Sequence, residues 1–286
     1  MAQQNEKKVN LFLDSGAFSA TRRGAVIVLD EFIKFAKKNE THCEVIANLD
    51  VIGDGDATRR NQKKMEAEGL NPLPVYHYGE PRKHLIYYVN MNRYDYIGIG
   101  GMVPIPTDQL VPWLDEIFGE YICDEKGDPR VKVHGFGVSS LKIMLRYPWY
   151  SIDTSVWEFV ASRLGSVYVP ENKAGRWIYD VPPWIIGVTY RSPKKGKQGE
   201  HVESLSAGQR EIVMGYFKEQ GYPLGESKIR TIPPTDGEEM IEETTIKSGL
   251  CNVIQLRYEL NASYYRELEK SMPEWPWPFQ PERKKK

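Results

Sequence analysis

The sequence predicts an α/β fold in which a parallel sheet alternates with helices. Apolar runs of strand length and amphipathic segments of helix length alternate from residue 9 to residue 152. Alternation at this spacing favours right-handed crossovers between parallel strands. Six strands before residue 155 are too many for a compact half-domain. We therefore expect a (β/α)8 barrel of the TIM type, with irregular insertions in its C-terminal half.

The strands and helices of the first half follow one another regularly. The apolar runs that predict strands lie at 9–13, 43–49, 72–78, 94–100, 131–137 and 149–152. The segments that predict helices lie at 30–39, 56–68, 82–92, 107–119 and 139–146. Asp30, Asp56 and Thr107 are candidate helix N-caps, and Gly69 is a candidate helix stop.

The regular alternation of strands and helices ends after residue 165, where the sequence is a mixture of aromatic residues, Pro and Gly. We expect an irregular insertion region over 171–250, with one strand at 184–189 and one helix at 207–220. An amphipathic helix over 253–270 is expected to close the barrel, and the Pro- and Trp-rich tail 273–286 to be loosely ordered. The whole chain, 1–286, is predicted to be a single domain.

The composition is that of an ordinary globular protein. The chain has 286 residues, of which 41% are apolar and 27% charged. Its 38 basic and 39 acidic residues nearly balance. A nucleic-acid contact would therefore need a local basic patch, because the chain as a whole has no net positive charge.

The cysteines and the N-terminus indicate a reducing compartment. Cys43, Cys123 and Cys251 are few, odd in number and far apart, which argues against a disulfide framework. No Cys-x-x-Cys or close His pair gives a zinc spacing, so we expect no metal and no cofactor. The first residues lack the apolar core of a signal peptide, and no run approaches the ~18 apolar residues of a membrane span. We expect a cytoplasmic protein without membrane contact.

Three aspartates directly follow three of the predicted strands. Asp14 follows the first strand, Asp50 the second and Asp153 the sixth. The carboxyl ends of parallel strands meet on one rim, where an α/β barrel keeps its chemistry. A single strand-end aspartate is equally well a turn residue or a helix cap. Three on different strands predict a site.

The same strand ends carry residues that suit a ligand. Gly16 lets the backbone turn sharply beside Asp14 and approach a ligand closely. The pair Gly100 and Gly101 removes side chains and exposes N–H groups, although Pro104 breaks the dinucleotide-binding spacing. Further candidates at these ends are Ser15, Phe18, His77, Tyr78 and His134. Each histidine is equally well a hydrogen-bonded structural group.

These motifs, taken in order, resemble those of the tRNA-guanine transglycosylase superfamily. Members carry Asp-Ser-Gly-Gly-Phe after the first strand, where this chain has Asp14-Ser15-Gly16-Ala17-Phe18. Their next catalytic strand ends in an aspartate, here Asp50. A Tyr-Asp-x-x-x-(Val/Ile)-Gly-Gly strand is similar to 94–101, and a Gly-Val-Gly strand to 134–138. A strand ending in Asp153 follows. The resemblance covers residues 9–157, a little over half of the chain.

The resemblance implies base exchange at the rim. Asp153 would be the nucleophile that attacks C1′ of the target nucleoside, and Asp14 the general acid and base. Asp50 would accept hydrogen bonds from the base, with Gly100 and Gly101 donating or making room. A carboxylate can form such a covalent glycosyl intermediate, as it does in retaining glycosidases.

The departures from the family point to its phage branch, whose members insert 7-deazaguanines into DNA. The family's cysteine-rich zinc site is missing, Tyr78 replaces a base-contacting Gln, and Thr154 begins a segment unlike the family's Arg-containing loop. The resemblance therefore implies DNA and a 7-deazaguanine base, such as preQ0, as substrates. A phage enzyme of this kind would act in the host cytoplasm. The oligomeric state stays open.

Extruding a guanine from DNA would need stacking partners and backbone contacts. Phe18, Tyr78 and Trp157 are the candidates for stacking on the base. Candidate backbone contacts are the basic residues Arg22, Arg23, Arg191, Lys194, Lys195, Lys197, Lys228 and Arg230. The glycine-rich segment 191–199 is equally well a solvated mobile loop.

Three other functions remain open from the sequence. A tRNA-specific enzyme would use the same chemistry on another polymer. A catalytically inactive barrel would only bind nucleic acid or a partner. A barrel hydrolase would use Asp14 and Asp50 with a metal, although the sequence shows no clear set of His ligands.

Overall fold

The computed structural model describes residues 11–90, 93–232 and 240–272. The predicted tail 273–286 lies outside the described residues. Contacts divide the chain into two compact units, one ending at Thr154 and the other starting at Ser155. The prediction of a single domain over 1–286 stays a prediction.

The first unit is mixed α/β and is built on parallel strands, as the sequence predicts. Its strands are β1 (Leu11–Leu13), β2 (Cys43–Ile46), β3 (Val75–His77), β4 (Tyr96–Gly100), β5 (Lys132–Gly135) and β6 (Ser151–Ile152). β1 pairs with β2, and β3 to β6 form a second sheet in sequential order. A parallel bridge between Ala47 and Leu73 continues the order from β2 to the segment before β3. Each predicted strand is confirmed, and β2 to β6 are somewhat shorter than predicted. The first two residues of the predicted strand 9–13 lie outside the described residues.

The strand order runs along the chain without a reversal. A doubly wound sheet would reverse its order at a switch point, whereas here each strand lies beside the one that precedes it in sequence. Hydrogen bonds among the described residues do not close these strands into a barrel.

The strands of the first unit nevertheless curve strongly. The rings of Phe12 on β1 and His134 on β5 lie 4.5 Å apart between centroids. Strands four places apart in a flat sheet would be separated by about 19 Å, at 4.8 Å per strand. The array must therefore bend until the faces of β1 and β5 meet. The carboxyl ends of the strands converge for the same reason.

Helices connect these strands at the predicted places. They are α2 (Leu29–Asn39), α3 (Gly55–Ala67), α4 (Arg82–Asn90), α5 (Thr107–Glu116) and α6 (Leu141–Arg146), after a short α1 (Ala17–Arg22) that the sequence analysis did not predict. A 3₁₀ turn, Glu40–His42, follows α2, and one π-helical turn, Ile117–Ile122, extends α5. Gly69 adopts φ 88° just beyond α3, which confirms the predicted helix stop.

The three predicted helix caps are wrong. Asp30 and Thr107 lie inside the first turns of α2 and α5, because Val28 and Pro106 occupy the N-cap positions of these helices. Asp54, not Asp56, caps α3, and its side chain accepts the N–H of Ala57 at 2.8 Å. Asp30 and Asp56 still suit a first turn, since negative charge there favours the helix dipole.

The second unit mixes helices with antiparallel strands. The helices are α7 (Val156–Ser162), α8 (Ala207–Glu219) and α9 (Ile254–Lys270). The strands are β7 (Ser166–Val169), β8 (Glu171–Lys173), β9 (Arg176–Ile178), β10 (Trp184–Gly187), β11 (Glu226–Ile232) and β12 (Met240–Lys247). β7 pairs with β10, β8 with β9, and β11 with β12.

The segment 171–250 is more regular than the sequence analysis expected. The predicted strand and helix there are confirmed as β10 and α8, and the last helix as α9. The hairpins β8–β9 and β11–β12 were not predicted. Val167, Ile186, Val213, Phe217 and Leu260 form the buried centre of the second unit.

No helix within the described residues is long and apolar enough to cross a membrane.

Close packing behind the strands makes a glycine on β4 a test of the first unit. A Cβ added at Gly98 would lie 2.6 Å from Cε2 of Phe136 and 3.5 Å from the side chain of Leu73. Gly98→Ala should therefore lower the free energy of unfolding by about 1–3 kcal/mol.

Gly215→Ala is the matched control, because an added Cβ on this exposed helical residue meets nothing within 4 Å. It should raise stability by up to about 1 kcal/mol. Urea denaturation of both variants measures the difference. Equal effects of the two substitutions would contradict the packing described around β4.

Candidate active site

Three carboxylates lie near one another at one rim of the first unit. Asp14 comes directly after β1, Asp153 after β6, and Asp50 shortly after β2. Partial desolvation raises the pKa of Asp14, and the negative charges of Asp50 and Asp153 raise it further. The backbone N–H groups of Ser15 and Gly16 oppose this shift. The structure thus brings the three predicted aspartates within electrostatic range of one another.

Asp50 is held by two donors. The Ser15 hydroxyl donates to Oδ1 at 2.8 Å, and Nε2 of His77 lies 2.8 Å from Oδ2. Ser15 is itself buried, and its hydroxyl accepts the N–H of Ala17 at 3.2 Å. Both oxygens of Asp50 therefore point in fixed directions.

The second nitrogen of His77 meets another carboxylate. Nδ1 of His77 lies 2.9 Å from Oε1 of Glu80, and both side chains are buried. Burial disfavours the charged imidazolium, but the hydrogen bonds to Asp50 and Glu80 outweigh it and raise the pKa of His77 to about 9. At neutral pH the imidazolium donates from both nitrogens and links Asp50 to Glu80.

Asp153 differs from Asp50 in its exposure. Its side chain is 58% exposed, and Oδ1 accepts the N–H of Gly137 at 2.9 Å. Nε2 of His134 lies 3.5 Å from the same oxygen. The alternative that Asp153 caps the following helix is not supported, because Ser155 occupies the N-cap position of α7.

The two rim glycines lie beneath the His77–Tyr78 segment. The Gly100 carbonyl accepts the N–H of Tyr78 at 2.9 Å, and a Cβ at Gly100 would lie 3.0 Å from the His77 ring. Gly101 has φ 69°, and its added Cβ would lie 3.0 Å from the Tyr78 nitrogen. Glycine is therefore needed here to let two strand ends approach. The half-buried Tyr78 packs edge-on against Trp113, with ring centroids 5.0 Å apart.

The aromatic and basic residues after Asp14 lie on α1. Phe18 is 45% exposed, and the Arg22 guanidinium lies over its ring, 5.7 Å from the centroid. Arg22 and Arg23 are both exposed. Phe18 is thus at the surface and is not buried behind the turn that follows Asp14. α1 begins at Ala17, directly after Gly16 in the left-handed conformation at φ 74°.

The predicted basic loop in the second unit carries its own counter-charges. Lys194 pairs with Glu200 at 2.7 Å, and Lys195 pairs with Glu203 at 2.9 Å. Lys197 lies 3.8 Å from Glu200. These pairs reduce the positive charge that the loop would offer to a phosphate.

Four other candidates lie in the second unit. Trp157 on α7 packs edge-on against Tyr258, with ring centroids 5.7 Å apart. Arg191 is exposed. Lys228 and Arg230 lie on β11, opposite Thr244 and Glu242 of β12.

Glu80 is the site residue that the sequence analysis missed. It follows His77 by three residues, and Gly79 between them adopts φ 81°. That turn points the Glu80 side chain back at the His77 ring. A histidine that ends a buried strand and is followed by Tyr-Gly-Glu is the signal that could have identified the pair. No group of three or more His, Cys, Asp and Glu side chains suited to a metal ion occurs within the described parts of the chain.

Comparisons with protein-family models, curated proteins and solved structures gave no match.

The His77 imidazolium should make stability depend on pH. The pKa of His77 is about 9 in the folded chain and about 6.5 in an unfolded one. Its stabilisation is therefore complete below pH 6.5 and is lost as pH rises through 9. Glu80→Gln removes one of the two negative partners and so lowers the folded pKa of His77. The stabilisation from His77 should therefore be smaller in this variant, and its loss should be complete at a lower pH.

NMR titration of the His77 ring and denaturation between pH 6 and pH 10 measure this effect. Glu44→Gln, the same change at an exposed position on β2, is the control and should leave the His77 titration unmoved. A wild-type His77 that titrates near 6.5 would contradict the arrangement.

Proposed function

We propose that this chain is a base-exchange transglycosylase that replaces guanine in DNA with a 7-deazaguanine base. The observation that carries the proposal is the convergence of Asp14, Asp50 and Asp153 at one rim. Their order along the chain and their neighbouring glycines fit the resemblance to the transglycosylase superfamily. Sequential strand order and the contact between β1 and β5 favour a (β/α)8 barrel as the scaffold.

Asp153 is the nucleophile in this proposal. Its carboxylate is exposed, and the Gly137 N–H orients it. One oxygen forms a bond to C1′ of the target nucleotide while the bond from C1′ to N9 of guanine breaks. The bonding electrons leave with guanine. The sugar is then held as a covalent glycosyl ester.

Asp14 moves the proton in both halves of the exchange. Its raised pKa suits a carboxyl group that must hold and release a proton nearer to neutral pH. It gives a proton to the departing guanine and takes one from N9 of the incoming base. N9 then bonds to C1′, and Asp153 leaves as a carboxylate.

Asp50 recognises the base through hydrogen bonds. Its two oxygens are oriented by Ser15 and His77, so they can accept hydrogen bonds from the N–H edge of a guanine-like base in one geometry. A base without these donors would cover the remaining lone pairs of this half-buried carboxylate without bonding them, which opposes its binding. This arrangement supports the choice of a guanine-type base.

DNA is the proposed polymer, and the host cytoplasm the proposed compartment for a phage-encoded enzyme. The target guanine must leave the stack before C1′ can be reached. Phe18, which lies exposed near Asp14, is placed to stack on an extruded base, and Arg22 and Arg23 are placed to contact the adjoining backbone. The ion pairs of Lys194 and Lys195 make the loop 191–197 the weaker candidate for such contacts.

Incorporation of a labelled base tests the proposal. The protein is incubated with radiolabelled guanine or preQ0 and with either DNA or tRNA, and each polymer is recovered and counted. Label should enter DNA. Label in tRNA alone would favour the tRNA enzyme, and label in neither would favour a protein that only binds.

Asp153→Asn should lower incorporation by at least about 10³-fold, because it removes the nucleophile. It should also abolish the covalent adduct between protein and polymer, as detected after denaturation. Asp128→Asn is the matched control. Asp128 is exposed in the turn before β5, at the opposite end of the strands. Retention of the adduct by Asp153→Asn would refute the assignment.

A further inference from the structure

We propose that His134 is a positioning residue for Asp153, and that it acts by presenting a protonated Nε2 to Oδ1 of that carboxylate. The consequence for catalysis rests on the proposed function. The placement of the proton on the ring is a separate claim that can be tested without any activity.

The His134 ring is fixed by its packing. It is 4% exposed and contacts two aromatic rings, with Phe12 at 4.5 Å and Phe136 at 4.4 Å between centroids. The Phe136 ring is edge-on to it, at 77°. Burial among these rings, together with the contact between Nδ1 and the Ser151 hydroxyl, holds the His134 ring in one orientation, so its two nitrogens face constant surroundings.

One nitrogen of His134 meets a chain of hydroxyl groups. Nδ1 lies 2.6 Å from the Ser151 hydroxyl, which lies 2.5 Å from the Tyr96 hydroxyl. Hydroxyl groups both donate and accept. Tyr96 can therefore donate to Ser151, and Ser151 can donate to Nδ1. This direction leaves the proton of a neutral imidazole on Nε2.

The other nitrogen faces Asp153. Nε2 of His134 is buried and makes no hydrogen bond within the described part of the chain. The Asp153 oxygen at 3.5 Å is the acceptor it faces. A bare Nε2 would turn its lone pair toward a carboxylate, which is repulsive, whereas a protonated Nε2 attracts it. A small rotation of the exposed carboxylate closes the gap, as often happens when substrate binds.

The comparison with His77 supports this assignment. Both histidines direct Nε2 at a rim aspartate. Nδ1 of His77 faces the carboxylate of Glu80, which only accepts, so His77 donates from both nitrogens. Nδ1 of His134 faces a hydroxyl group, which can also donate. In both rings Nε2 thus donates to an aspartate, and the partner of Nδ1 determines whether Nδ1 is protonated as well.

The arrangement selects one oxygen of Asp153 for attack. The Gly137 N–H donates to Oδ1 of Asp153, and Nε2 of His134 faces the same oxygen. Oδ2 is left as the oxygen that bonds to C1′. When the glycosyl ester later breaks, the same two donors stabilise the returning negative charge.

Nitrogen NMR tests where the proton lies. In a protein labelled with ¹⁵N-histidine at pH 8, the His134 signals, assigned by their loss in His134→Gln, should show a protonated Nε2. The exposed His42 gives the averaged pattern of a solvated ring in the same spectrum. Asp153→Asn should shift the Nε2 resonance, and Ser151→Ala should reduce the preference for the Nε2 proton. A ring with its proton on Nδ1 alone, or one insensitive to Asp153→Asn, would overturn the proposal.

Kinetics of adduct formation test the consequence. His134→Leu should lower the rate by about 10²-fold, because it leaves the nucleophile misplaced. His134→Gln keeps an N–H donor and should recover to within tenfold of wild type, with KM for the base little changed because Asp50 is untouched. Equal losses in the two variants would refute a positioning role. A wild-type protein with the expected NMR pattern but no base exchange would refute the proposed function. It would still support the interaction between the protonated Nε2 of His134 and Asp153.

Discussion

The contact between Phe12 on β1 and His134 on β5 is the constraint on which the first unit depends. It forces parallel strands that follow one another in sequence to curve, and so it gathers their carboxyl ends. Asp14, Asp50 and Asp153 meet for that reason, although more than a hundred residues separate the first from the last. The contact that bends the strands also fixes the His134 ring beside Asp153. The same contact therefore belongs both to the curved sheet and to the site at its rim.

The three carboxylates share a rim but not an environment. Asp50 accepts hydrogen bonds from a hydroxyl and an imidazolium, whereas Asp153 is exposed and accepts one at a single oxygen. The pKa of Asp14 is raised by its partial desolvation and by the negative charges of the other two. Groups of one chemical type can perform different steps when their surroundings differ in this way. The proposed division into base reading, nucleophilic attack and proton transfer follows these differences.

The sequence predicted the strands and the rim aspartates because the strands of the first unit lie in short apolar runs, three of which are followed by an aspartate. It did not predict the hairpin β11–β12, because neither strand carries a continuous apolar run. It missed Glu80 because its role depends on a turn at Gly79 that points it back at His77. The ion pairs of Lys194 and Lys195 also depend on how their loop folds.

Titration of the Asp14 carboxyl by ¹³C NMR tests the central claim most directly. If the three aspartates converge, Asp14 should titrate above the ordinary aspartate value of about 3.9. Its pKa should fall in Asp50→Asn and fall less in Asp153→Asn, because Asp50 exerts the larger electrostatic effect. An Asp14 that titrates at its ordinary value, and that responds to neither substitution, would contradict the account.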